Sequence, residues 1–250
     1  MINLKTTREL RYMRDAGKIS QEALLKAGEA VRPGVSTLEL DKIVRRTIEK
    51  AGAVPSFLGY GGFPASACIS VNNVVIHGIP SAHEILKEGD IVSIDVGAIY
   101  EGFNGDNAWT FPCGKVSEEA QKLMDVTKQS FFEGIRYAKA GNHLNDISKA
   151  IGAHAAKYHY GIVRDLVGHG IGTHLHEDPQ IPNFPQKRRG VRLMPGMTLA
   201  VEPMINLGRA DVAWLDDEWT VVTMDGSLSA HYENTILITD GDPEILTLTK

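Results

Sequence analysis

Two spacings of apolar residues alternate along this chain. Leu10, Met13, Ile19 and Leu24 recur at helical intervals behind Thr6-Thr7-Arg8-Glu9, a capping box. A second helix is predicted over residues 37–50, a third opens at Ser117-Glu118-Glu119, and a fourth runs over 145–158. Strand patterns fall near 66–77, 90–99 and 107–112, and again near 162–168, 197–206, 218–224 and 230–239. Helices in pairs followed by runs of strands predict an α+β class, an antiparallel sheet covered on one face by helices.

The pattern repeats. Arg32-Pro33-Gly34 with Glu39-Leu40 and Lys42 is echoed by Lys139-Ala140-Gly141 with Asp146-Ile147 and Lys149. Leu86-Lys87-Glu88-Gly89, leading to Ile94-Asp95, is echoed by Leu193-Met194-Pro195-Gly196, leading to Val201-Glu202. The pairs Gly34/Gly141, Gly89/Gly196 and Asp95/Glu202 are all 107 positions apart. Helix–turn–strand units resemble one another, but a shared offset at two separated places points to a true internal repeat. The halves run roughly over 5–112 and 113–248. No composition shift divides them, so residues 1–250 are read as a single domain.

Alternation also places acids. Within 91–98, Val92, Ile94, Val96 and Ala98 take one face, and Asp95 shares the other with Ser93 and Gly97. If Glu101-Gly102 is a two-residue hairpin tip, Asp95 opposes Ala108. Asp106 is then its diagonal, same-face neighbour, roughly 7–8 Å away. A one-residue bulge would flip that parity. Glu202 shares a face with Thr198 and Ala200, and Pro203 marks a strand end or edge. Glu233 shares a face with His231 and Thr235. An acid in an apolar strand is costly to bury unless paired or metal-bound. One such acid reads as a solvated strand face; four, two of them at equivalent repeat positions, read as a shared site.

Histidines complete the pattern. In the segment from Gly168 to Glu177, three glycines in five positions let the backbone pass close to something bulky. His169 and His176 have opposite strand parity, so a loop must bring them together. His77 stands beside Gly78 at the end of an apolar strand, where a hydrogen-bonded core histidine is the ordinary reading. Asp95, Asp106, Glu202 and Glu233 carry −4, which two divalent ions balance. Mixed carboxylate and imidazole donors suit Mn, Fe, Co or Zn better than Ca. Paired ions are a recurrent device of hydrolases.

Composition mainly excludes. Lys and Arg number 26 against 31 Asp and Glu, a net charge of −5, so no general basic field for nucleic acid exists. No apolar run approaches the ~20 residues of a membrane span. The segment MINLKTTREL lacks a signal peptide's apolar core. Cys68 and Cys113 make no disulfide framework, and a reducing, cytoplasmic location is expected.

In order and spacing, His77, Asp95, Asp106, Gly168-His169-Gly170, His176, Glu202-Pro203 and Glu233 resemble the type I methionine aminopeptidases. The resemblance runs over roughly residues 5–248. It implies the pita-bread fold, with two halves related by a pseudo-twofold axis. It implies two divalent ions (Co, Mn, Fe or Zn) held by Asp95, Asp106, His169, Glu202 and Glu233, with Asp106 and Glu233 bridging. It implies a methionine pocket at Phe57, Tyr60, Phe63, Cys68, Leu175 and Trp219, where aromatic edges and a thiol suit a thioether. The implied activity is removal of the initiator methionine from nascent chains whose next residue is small. In the implied mechanism a hydroxide bridging the ions attacks the scissile carbonyl. Glu202 is ligand and base, His176 stabilises the oxyanion, and His77 holds the scissile amide. The family further suggests a monomer.

The chain departs from the pattern at Gly61, where many relatives carry His, at Leu166 and Leu175, where an aromatic is common, and at Phe57, where a smaller residue is common. These departures touch the pocket's shape rather than the chemistry. Alternatives on the same scaffold are a proline dipeptidase or aminopeptidase P, which usually carry an extra N-terminal domain, a non-catalytic binding protein, and a metal-free hydrolase such as creatinase. The last two would not be expected to keep five ligands. The one basic cluster, with Lys187, Arg188 and Arg189, reads as a solvated loop, with a ribosomal RNA contact as its functional alternative.

Overall fold

The capping box expected at Thr6 opens helix α1 (Thr7–Glu29): the Glu9 carboxylate accepts from the Thr6 N–H at 2.7 Å, and the Thr6 hydroxyl accepts from the Glu9 N–H. The computed structural model describes residues 2–248; residues 1, 249 and 250 of the expected domain lie outside the described residues. Three further helices follow, α2 (Thr37–Lys50), α3 (Glu118–Ile135) and α4 (Leu144–Ala156). The buried stripe of α1 includes Met13, Ala16, Ser20, Ala23, Leu24 and Ala27, spaced to face one sheet.

In chain order the strands are β1 (Val54–Pro55), β2 (Ala67–Val71), β3 (Val74–Ile76), β4 (Ile91–Tyr100) and β5 (Phe103–Pro112). Then come β6 (Gly161–Ile162), β7 (Gly168–Gly170), β8 (Glu177–Ile181), β9 (Thr198–Val201) and β10 (Met204–Asn206). The last are β11 (Val212–Trp214), β12 (Val221–Thr223), β13 (Ser229–His231), β14 (Glu233–Leu237) and β15 (Glu244–Ile245). A nine-stranded sheet runs β1-β4-β5-β14-β9-β7-β8, with β2 on β4 and β15 on β14. All its pairings are antiparallel. The α+β class is as expected.

The repeat reappears in the backbone. Gly34 N–H donates to Leu86 O at 2.8 Å, and 107 positions on Gly141 N–H donates to Leu193 O at 2.9 Å. Isolated bridges join Ser36 to Ile85 and His143 to Arg192, related by the same offset.

Helix α1 lies directly on the central strands. A Cβ at Gly105 would fall 2.5 Å from the Gly17 backbone nitrogen, so helix and strand touch main chain to main chain. Ser20 donates to Val96 O at 2.7 Å and is also bonded to the Asn107 side chain. These contacts fasten the positions flanking Asp95 and Asp106. Behind them Leu24, Leu40, Val44, Ile48, Ile69 and Ile94 form a fully buried core.

Several strands are shorter than their patterns. Residues 66–77 split into β2 and β3 at Asn72, whose φ is 55°. Residues 197–206 break at Glu202-Pro203 and 230–239 break at Tyr232; at the first, proline cannot donate to a ladder. Residues 162–168 form only the ends β6 and β7, and α4 stops at Ala156 rather than 158, just before His159 with φ 61°. Strands β1, β8, β11 and β15 lack a clear alternating signal.

Candidate metal and substrate site

Register alone sets five side chains on one face. The hairpin tip is Glu101-Gly102, both with positive φ, the geometry of a tight two-residue turn. Asp95 therefore pairs with Ala108 and Gly97 with Asp106, as the sequence pattern predicts. Ala108 in turn pairs with Glu233, so Asp95, Ala108 and Glu233 form one cross-strand row. The small Ala108 between them leaves the carboxylates room. On the other side of β14, Asn234 pairs with Val201 and Thr235 with Ala200, which puts Glu202 level with Glu233. His169 pairs with Ala200 and points to the same face.

Thr235 fixes the Asp106 backbone from the neighbouring strand. Its hydroxyl accepts from Asp106 N–H at 3.0 Å and donates to Asp106 O at 2.9 Å. These bonds stand in for ladder bonds where β14 turns from β5 toward β15. Glu202 is anchored through its carbonyl, which accepts from the Asn183 amide at 3.0 Å.

One cavity of about 100 Å³ is lined by every residue expected at the site, together with Ile76. Its acidic end holds Asp95, Asp106, His169, Glu202 and Glu233. Its apolar end holds Phe57, Phe63, Cys68, Leu175 and Trp219, with Tyr60 at the lip. Phe63 and Trp219 meet edge to face at 5.1 Å, and Cys68 pairs across the ladder with Asp95. Between the two ends sit His77 and His176. The loop brings His176 to 4.3 Å from His169, ring centre to ring centre, as their opposite parity required. His77 has φ 59°, an uncommon conformation for a non-glycine residue, which turns the chain as it leaves β3.

The imidazoles are neutral near pH 7. Burial, and then the neighbouring His176, lowers His169 to about 3; burial and His176 lower His77 to about 4. Burial also lowers His176. His169 Nδ1 lies 2.9 Å from Gly170 O, a pure acceptor, so the proton sits on Nδ1 and the Nε2 lone pair faces the carboxylates. That Nε2 is 3.7 Å from Glu202 Oε1. Tyr60 OH stands 2.7 Å from His176 Nδ1.

The acids are out of their ordinary range. Burial pushes Asp95 up to about 7, although its edge opens on the cavity. Burial, with the charges of Asp95 and Glu202, pushes Asp106 well above the usual carboxylate range. Glu202 is raised by burial and Asp95, and Glu233 by burial and then Asp106. Asp95 Oδ1, Asp106 Oδ1 and Glu233 Oε1 have no hydrogen-bond partner. Buried carboxylate oxygens left unpaired around one point, beside a free imidazole lone pair, fit divalent cations. Donor atoms of Asp106, His169 and Glu233 lie within 4.8 Å of one another, as do those of Asp95, His231 and Glu233.

His231 was placed by its sequence pattern only as a face-mate of Glu233. It is 1% exposed, and its unpartnered Nε2 lies 3.7 Å from an oxygen of both Glu202 and Glu233. Burial lowers it to about 3. Its two-residue offset from Glu233 was the one signal available. Lys187, Arg188 and Arg189 lie outside this cavity, exposed on a separate loop, with Lys187 and Arg188 edging another surface hollow.

The sequence model of metallopeptidase family M24 matches residues 11–240. Methionine aminopeptidase of Clostridium perfringens is 56% identical over all of both chains, and that of Clostridium acetobutylicum is 54% identical over 99% of each. The crystal structure of methionine aminopeptidase from Thermotoga maritima superposes with a TM-score of 0.98 at 43% identity, over 100% of both chains. A prolidase from Pyrococcus furiosus shares the fold, with a TM-score of 0.80 at 24% identity over 66% of that chain. The chain belongs to metallopeptidase family M24, in its type I methionine aminopeptidase group.

Proposed function

We propose that this chain removes the initiator methionine from nascent polypeptides whose second residue is small, using two divalent ions held by Asp95, Asp106, His169, Glu202 and Glu233. Aminopeptidase activity and divalent-metal use are those of its family. The observation that carries the fuller reading is one cavity with unpaired buried carboxylate oxygens at one end and an aromatic, thiol-bearing pocket at the other. Those five residues would hold the ions, with Co, Mn, Fe or Zn as the candidates by donor type. When bound, the ions supply Lewis acidity, a water of lowered pKa and a seat for the substrate's free α-amine.

The protein's own groups do the rest. The methionine side chain lies among Phe57, Tyr60, Phe63, Cys68, Leu175 and Trp219. Glu202 takes a proton from the attacking water and passes it to the leaving amine. Tyr60 donates to His176 Nδ1, which leaves a proton on Nε2 for the carbonyl oxygen as it becomes anionic. His77 holds the scissile amide. The acting unit is one catalytic domain, with halves at 5–112 and 113–248, working as a monomer in the cytoplasm. Among the described residues no helix is long and apolar enough to cross a membrane. Lys187, Arg188 and Arg189 would meet ribosomal RNA; reversing their charge should weaken ribosome co-sedimentation, and unchanged co-sedimentation removes that contact.

The test offers Met-Ala-Ser and a Xaa-Pro dipeptide side by side to chelated protein resupplied with Mn, Fe, Co or Zn. Metal-dependent release of methionine is expected. Preference for the proline substrate, or methionine release after exhaustive chelation, overturns the reading.

A further inference from the structure

The loop that carries His176 is held by an ion pair from the far end of the chain. Lys5 Nζ lies 2.5 Å from Glu177 Oε2, and both side chains are only 6% exposed. Glu177 immediately follows His176. Its other oxygen, Oε1, accepts from His174 N–H at 3.3 Å. The pair crosses Gly172: a Cβ there would fall 2.5 Å from both Glu177 Oε1 and Lys5 Cε. Lys5 is itself tied down, its N–H donating to Gly196 O at 2.8 Å and its ammonium to Asn3 O at 3.2 Å. The loop's base is closed by pairing of Gly170 with Glu177, and Gly172 O accepts from Asn104 N–H and Nδ2 at 2.9 and 3.0 Å.

A buried ion pair contributes little stability over a well-packed apolar pair, because both charges lose their hydration. What it supplies is direction: a carboxylate that must meet one ammonium and one loop N–H has a single place to sit. We infer that Lys5 and Glu177 are positioning residues, which fix the 171–176 turn so that His176 Nε2 faces the substrate carbonyl. Neither touches substrate, and both act through His176. His169 is held mainly by β7 and its Gly170 bond, with the Leu175 backbone as a further contact, so bound metal is measured in every variant.

This inference rests on the proposed role of His176, and the variants keep the two failures apart. Lys5→Met, Glu177→Gln, His176→Ala and the double variants Lys5→Met/His176→Ala and Glu177→Gln/His176→Ala are assayed as metal-loaded full chains on a Met-Ala peptide. An ångström of misplacement is worth up to ~100-fold in rate. Lys5→Met is expected to lower kcat by about tenfold or more, with KM and bound metal within twofold of the parent. In the His176→Ala background the same change should cost less than twofold. In metal-free protein, imidazole NMR signals of His176 should shift in Lys5→Met by more than those of His169, and an equal or smaller shift at His176 counts against the inference. If Lys5→Met does not fold, Glu177→Gln carries the same expectations. Parental kcat in the folded variant overturns the inference, as does an equal loss with and without His176. Parental kcat in His176→Ala alone removes the role of His176, and the inference falls with it.

Discussion

Emptying the proposed metal site should make the protein lose stability with rising pH relative to an Asp95→Asn variant. Asp95 is raised from 3.8 to about 7 by burial, so the metal-free folded state binds its proton more tightly than the unfolded chain does. A pH unit of difference is worth about 1.4 kcal/mol per proton, so the ionised Asp95 costs on the order of 4 kcal/mol in the empty fold. That loss accrues as pH rises from the unfolded value toward 7. Buried histidines oppose it. His77 is lowered to about 4 and His169 and His231 to about 3, so each adds stability as pH rises toward 6.5. The Asp95→Asn variant shares that gain, so the difference between parent and variant leaves the Asp95 proton. Asp106, Glu202 and Glu233 are raised in the same direction, by burial first and by neighbouring acids second. Urea melts of EDTA-treated parent should therefore lose about 2–3 kcal/mol relative to EDTA-treated Asp95→Asn between pH 5 and 8, the effect of one proton held to about pH 7. With Mn bound, the cations would ionise the ligand acids, and no such fall is expected. A parent–variant difference that is flat or rises across this window refutes the electrostatics assigned to the cavity.

Glu202→Gln should lower kcat by on the order of 10²–10⁴-fold, and near-parental turnover by steady-state assay would remove its role as base. His176→Ala should reduce kcat more than it raises KM; equal effects on both would mean that it only binds substrate. Trp219→Ala, which strips the edge contact with Phe63, should raise KM for Met-Ala-Ser by about tenfold or more, checked by initial rates against an unchanged chelation profile. Gly105→Ala forces α1 off β5 and should destabilise the fold by about 1–3 kcal/mol in urea melts, with weaker metal binding because Asp106 is the next residue.

The site was legible where local rules fix geometry. The Glu101-Gly102 tip sets the β4–β5 register, and period-2 alternation then puts Asp95 and Asp106 on one face without further information. Thr6 and Glu9 mark a helix start because both partners of the capping box lie within one turn. The breaks at Glu202-Pro203 and Tyr232 were harder, since the apolar pattern runs on through them. Strand β8 contains Pro179 and two acids, and its pairing comes from β7 rather than from its own alternation. The Lys5–Glu177 pair joins residues 172 positions apart, and no periodicity encodes such a contact. His231 was visible as a face-mate of Glu233, but its closeness to Glu202 depends on how β10 and β13 pair beyond the break, with Met204 opposite His231.

Anomalous X-ray diffraction at the manganese edge, on crystals of Mn-loaded protein, tests the central claim most directly. Two peaks are expected in the one cavity, ringed by Asp95, Asp106, His169, Glu202 and Glu233, with Asp106 and Glu233 between them. Peaks elsewhere, or none in that cavity, would contradict it.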